Sequence, residues 1–289
     1  MMNEKPYSTR RKTFDVRVVI RGAGDLATAI GHRLHKAGIT VIHTETAAPT
    51  TVRRLVSFSS AIQHGMFTVE GVTAKLCPMT VEDVEAALDD GLVPVVIDPT
   101  LAILAIWPAD VVIDATIAKK APTVDLMSYA PMVVALGPCF VVGKHCHAAI
   151  ETCRGHDLGR VYTTHGEEAL ENTHTPGDLG GESHRRVIRA PCIGLITPLV
   201  SIGSTVRTGD ALVRVADVEV RAPMGGLVRG MVSEGMVCSR VGFKLGDLDP
   251  RGLSMGGEEK RKLCTHISDK ARNIAGAALE CVVTYMTTG

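Results

Sequence analysis

Gly22, Gly24 and Ala27 form a Gly-x-Gly-x-x-Ala run where an apolar stretch gives way to a helical pattern. That spacing suits phosphate chemistry. Gly22 can supply a tight turn, Gly24 lets a pyrophosphate approach the backbone, and Ala27 allows close helix-to-strand contact. The free N–H groups of the helix N-terminus then face the anion. Glu45 lies about 20 residues further on, where a carboxylate accepts hydrogen bonds from a ribose diol. The same small residues would serve any tightly packed strand-to-helix turn. Asp25 sets a negative charge beside the proposed phosphate, and its side chain is equally suited to capping the helix.

A second group of chemical side chains lies between Gly137 and Arg160. Arg154 and Arg160 can each bind phosphate through two parallel hydrogen bonds. His156, between Gly155 and Asp157, suits proton transfer or phosphate contact and is the single catalytic candidate. Cys139, Cys146 and Cys153 recur every seven residues, which is not the short Cys-x2-4-Cys knuckle of a structural zinc site. His145 and His147 would share one side of a strand, yet ordinary buried thiols and hydrogen-bonded imidazoles account better for the set. No metal is expected.

The elements that must hold these groups are legible in the apolar pattern. A strand from Val16, a helix with Leu26, Ala29, Ile30, Leu34 and Ala37 on one face, Gly38 as its stop, and a strand to Glu45 make one strand-helix-strand unit. Met66 to Leu76 reads as a hairpin about Glu70-Gly71, and Val81, Val84, Ala87 and Leu88 as a helix capped by Thr80. Val93–Ile97, Val111–Ile113 and Met132–Leu136 are continuous apolar runs, the mark of buried parallel strands. Their polar ends, Asp98 and Asp114 with Lys119 nearby, either line a ligand crevice at the carboxyl edge of the sheet or serve only as turn residues. A Rossmann-like parallel sheet is the expected N-terminal architecture.

Gly166 to Arg186 turns polar and Gly-rich, as a linker or mobile loop does. A repeat follows: Ala190-Pro191 with Gly194-Leu195-Ile196 returns as Ala222-Pro223 with Gly226-Leu227-Val228, and Ser201-x-Gly203 as Ser233-x-Gly235. Two short all-β halves are implied. They resemble the barrel-sandwich (biotinyl/lipoyl-like) module, although the turn between them, Val215 to Glu219, lacks the lysine that carrier domains modify. Lys244 to Arg251 reads as a charged cluster on a turn, and the chain closes with an amphipathic helix from Ser268. The expected division is 14–165, a Rossmann-like nucleotide-binding domain; 166–188, the linker or loop; 189–248, the barrel-sandwich-like β module; and 249–289, a C-terminal helical segment.

Composition narrows the function classes. The chain has 289 residues with 31 basic and 31 acidic side chains, so no global field draws it to nucleic acid or to a membrane surface. Lys5, Arg10, Arg11 and Lys12 are not followed by a signal-peptide core, no apolar run reaches membrane-spanning length, and eight cysteines are too few for a disulfide scaffold in a chain this long. A cytoplasmic location follows as the expectation.

Arg21 to Ala27, Glu151 to Arg160, Lys244 to Arg251 and Ser268 to Ala271 together resemble the YqeB-type accessory proteins of the selenium-dependent molybdenum hydroxylase system. The N-terminal half is also similar to the Rossmann part of the xanthine dehydrogenase accessory family. Cys139 departs from the pattern, since the resemblance implies a glycine after Gly137-Pro138. The resemblance implies a maturation factor whose partners are a molybdenum hydroxylase apoenzyme or other maturation proteins, with a homo-oligomer compatible. NAD(P) or a molybdopterin dinucleotide would be the ligand, with Gly22, Gly24 and Asp25 at the phosphate, Glu45 on a ribose, and Asp114, Arg154 and Arg160 on the remaining polar groups. The alternatives are an NAD(P)-dependent oxidoreductase with His156 as its acid, and a non-catalytic scaffold.

Overall fold

The computed structural model describes residues 14–122, 125–173 and 175–288. Lys5, Arg10, Arg11 and Lys12, on which the reading of the leader rested, lie outside the described residues. The first body is built on a nine-stranded sheet in the order β3-β4-β5-β2-β1-β6-β7-β8-β9. Its strands are β1 (Phe14–Arg21), β2 (Ile39–Glu45), β3 (Met66–Val69), β4 (Val72–Cys77), β5 (Val93–Ile97), β6 (Val111–Asp114), β7 (Met132–Leu136), β8 (Ala148–Ile150) and β9 (Val161–Tyr162). Helices α1 (Asp25–Lys36), α2 (Ala61–His64) and α3 (Val81–Asp89) lie between them.

Alternation along each strand feeds two cores. Val18 and Ile20 of β1 join α1 on one side, whereas Val19 joins α3, Trp107 and Phe140 on the other. Covering helices on both faces explain why these strands read as unbroken apolar runs. Thr80 caps α3 by accepting a hydrogen bond from the Asp83 N–H at 3.2 Å, as its position predicts.

The expected Rossmann-like parallel sheet is corrected by the edges. β3 pairs antiparallel with β4, and β9 antiparallel with β8, so the sheet is mixed. The reason at β3 is the two-residue Glu70-Gly71 turn, which can join only antiparallel neighbours; both residues take positive φ there.

The expected barrel-sandwich module is corrected as well. The second body consists of two four-stranded antiparallel sheets, β10-β17-β15-β12 and β14-β13-β11-β16. Their strands are β10 (Val187–Arg189), β11 (Gly194–Pro198), β12 (Thr205–Val206), β13 (Ala211–Val215), β14 (Val218–Arg221), β15 (Gly226–Met231), β16 (Val237–Cys238) and β17 (Lys244–Asp249). The sequence repeat survives in the pairing. β11 of the first half pairs with β16 of the second, and β15 with β12, so each sheet mixes both halves. Lys244 to Arg251 is not a surface turn: Lys244–Asp249 is strand β17, with Asp247 and Asp249 buried.

The single expected C-terminal helix is two, α4 (Gly257–Thr265) and α5 (Asp269–Thr288). Ile274, Ala275, Ala278 and Val282 of α5 enter the core of the first body beside α1. Among the described residues no helix is long and apolar enough to cross a membrane.

Candidate functional site

A cleft of about 860 Å³ opens where the loops after the parallel strands face the second body. The way its walls meet starts from one glycine. Gly230 has no side chain, so the Val52 backbone lies against β15, where an added Cβ would sit 2.7 Å from the Val52 carbonyl oxygen. Met231 N–H donates to that oxygen at 2.8 Å, and Arg54 Nε donates to the Met231 carbonyl at 2.7 Å. This docking sets Arg53, from the loop after β2, close to Arg229 of β15, and both side chains reach the C-terminal end of α4. Arg53 Nη2 donates to the carbonyls of Leu263 and His266, both at 3.2 Å, and Arg229 Nε donates to Leu263 at 3.3 Å.

Both guanidiniums line the cleft and both are buried, at 7% and 8% exposure. Burial, helped by the like charge of Arg53, pulls Arg229 down to about 10. Lys270, at the start of α5, is also lowered by burial, with Asp25 opposing the shift. Asp25 lies 3.5 Å from Arg53.

Four other carboxylates of the region are already engaged. Glu151 accepts hydrogen bonds from the Cys153 and Leu170 N–H groups at 2.6 and 2.7 Å, which holds Leu170 at the cleft wall. Asp247 takes Arg186 at 2.5 Å. Asp249 takes Arg251 through two bonds of 2.9 and 2.7 Å. Burial pushes Asp249 up, but the Arg251 guanidinium outweighs it and holds the carboxyl below its ordinary range. Arg154 is held by Asp269 through bonds of 2.8 and 3.0 Å, and this pairing raises the arginine and holds the aspartate well below the usual carboxylate range.

Of the residues singled out from sequence, Asp25 and Arg154 line the cleft, as does Lys119. Gly22 does take a left-handed φ of +103°, and Gly24 is the residue before α1, with an ordinary φ of −67°. Asp25 does not cap the helix; it stands in the first turn against Arg53. Glu45 turns back on the glycine turn and accepts from the Ala23 N–H at 2.9 Å. His43 fixes the same turn from below, its Nδ1 2.8 Å from the Gly22 carbonyl.

Asp114 pairs with Arg21 at 2.9 Å and accepts from the Thr116 N–H and hydroxyl. Asp98 does likewise with Thr100 and the Ile103 N–H. Both serve turns at strand ends. His156 and Arg160 are exposed and outside the lining, with Arg160 over the Tyr162 ring and 3.3 Å from Asp157. His147 and His145 accept from the Val133 and Val141 N–H groups, and among the described residues no cluster of three metal-type ligands forms.

Arg53, Arg186 and Arg229 escaped the reading of the sequence. Arg229 carried a signal, since it is the one charge in the Gly226–Met231 run.

No family model matches the chain. Solved structures to which it is similar include the apo Ectoine utilization protein EutE (DoeB) from Ruegeria pomeroyi, at 12% identity and a TM-score of 0.24 over 80% of this chain and 85% of that one. They also include an aspartoacylase family protein from Mesorhizobium loti, at 13% identity and a TM-score of 0.24 over 82% and 86%. Neither name is that of a Rossmann or a molybdenum hydroxylase maturation protein. Likeness at that level assigns this chain no activity. The chain is 42% identical over 274 residues to the Uncharacterized protein YqeB of Escherichia coli (strain K12), with 94% of this chain and 48% of that protein aligned. It spans about half the length of the curated relative it matches, and that likeness supports the YqeB-type label the sequence motifs carry.

Proposed function

We propose that the chain is a cytoplasmic accessory protein that binds a phosphate-bearing small molecule, a nucleotide or a pterin dinucleotide, in the cleft between its two bodies. The observation that carries this is the charge of the lining. Eight basic side chains face five carboxylates there, and Glu151 and Asp247 among the five are engaged within the protein. A cleft of about 860 Å³ is of the size that small-molecule ligands occupy. The client is read from the resemblance: a molybdenum hydroxylase or its maturation proteins, in a selenium-dependent system.

Isothermal titration of the protein with NAD, NADP, ATP, CTP and molybdopterin cytosine dinucleotide tests the ligand. At least one should bind, and Lys270→Gln should weaken it by about tenfold, the effect of losing one charge-assisted hydrogen bond. Failure of all five to bind refutes the cleft. The accessory role predicts that a strain lacking the protein accumulates hydroxylase without its cofactor.

A further inference from the structure

Arg53 and Arg229 are an unusual pair to bury together. Each is less than a tenth exposed, and a guanidinium taken from water calls for an anion of its own. Neither has one to itself: Arg53 has only a 3.5 Å contact with Asp25, which also faces Lys270, and Arg229 only a 3.9 Å contact with Asp249. Arg53 Nε is buried without any hydrogen-bond partner, and the acceptors of its Nη2 are neutral carbonyls. The nearest carboxylate to Arg229 is Asp249 at 3.9 Å, whose two oxygens are already bonded by Arg251. Lys270 joins them on the same cleft, and the carboxylate between Arg53 and Lys270 is Asp25, 3.5 Å from the arginine. Asp25 thus serves both Arg53 and Lys270 from the N-terminus of the twelve-residue α1, where N–H groups lack intrahelical acceptors.

We infer that Arg53, Arg229, Lys270 and the first turn of α1 form a seat for a phosphoryl or pyrophosphate group. The seat rests on the reading of the cleft as the ligand site and specifies the ligand's chemistry there. A single carboxylate would balance one of the two guanidiniums and leave the other uncompensated. A dianionic phosphate offers several oxygens to two planar forks and an ammonium, the geometry for which arginine is suited.

The test titrates inorganic pyrophosphate, with succinate at matched ionic strength as the carboxylate control, and follows heat and thermal unfolding of the full chain. Pyrophosphate should bind and raise Tm; succinate should do neither. Arg229→Gln should weaken pyrophosphate by at least about tenfold while leaving the ligand-free Tm unchanged or higher, because a like-charge neighbour has gone. A merely structural arginine would lower that Tm. Lys270→Gln, half-buried and outside the paired guanidiniums, gives the same readout where Arg229→Gln does not fold. Nucleotide binding without pyrophosphate binding, or pyrophosphate binding indifferent to both substitutions, overturns the seat and leaves the cleft reading standing. Absence of binding by pyrophosphate and by every nucleotide overturns both.

Discussion

His43 makes folding sensitive to mild acid. Its ring is fully buried under the Gly22 turn, Nδ1 bonded to the Gly22 carbonyl and Nε2 without a partner against Gly31. Burial pulls its pKa down to about 4, well below the 6.5 of a free imidazole, and the Gly22 bond only partly opposes this. Between those two values the unfolded chain binds the proton and the folded one does not. The contribution of His43 is therefore fully present above about pH 6.5 and is lost as the pH falls toward 4. Evaluated at pH 5, the loss relative to pH 8 is about 2 kcal/mol. Burial lowers His32, His145 and His147 in the same direction, so a variant must subtract them. His43→Asn does so, because its amide can still donate to Gly22 but does not titrate. Urea unfolding at pH 8 and pH 5 should show wild type losing about 2 kcal/mol more than the variant across that interval. Equal losses in the two proteins would refute the neutral, buried imidazole.

Gly31→Ala would drive a Cβ into the His43 ring and should cost roughly 3 kcal/mol, measured by the same unfolding. Cys139 takes a φ of +74°, the conformation that a glycine after Gly137-Pro138 would adopt freely, so Cys139→Gly should raise stability by about 1 kcal/mol. Arg154→Ala breaks the exposed pair with Asp269 and should lower stability by no more than about 1 kcal/mol, a shift of a few degrees in Tm. Gly230→Ala sets a Cβ 2.7 Å from the Val52 carbonyl, so it should separate Arg53 from Arg229 and weaken ligand binding in calorimetry, although no cleft side chain changes.

What was legible in the sequence was local. Thr80 at the cap, Glu70-Gly71 in the hairpin and the apolar runs of β5, β6 and β7 each declare their structure within a few residues. The repeat of Ala190-Pro191 at Ala222-Pro223 likewise marks two related halves, but which strands cross between the sheets depends on packing that no local signal carries. β17 was hidden because its aspartates are tolerated inside through Arg251 just beyond it and Arg186, a residue 61 positions from Asp247. The glycine turn drew attention to Glu45 and Asp114, the most conspicuous acids near it, yet both are consumed by neighbouring backbone and Arg21. The juxtaposition of Arg53 and Arg229, which dominates the cleft, depends on a loop resting against the bare backbone of Gly230. A single glycine in a strand announces close approach but not what approaches.

The central claim, that the cleft between the two bodies holds a phosphate-bearing ligand, is tested most directly by a crystal structure of the protein with the tightest-binding nucleotide. The account places the phosphate oxygens within about 3 Å of the Arg53, Arg229 and Lys270 nitrogens, with the ligand body along the wall that Leu170 and Pro176 to Leu179 line. A nucleotide seated instead at His156 and Arg160, with the cleft empty, would contradict it.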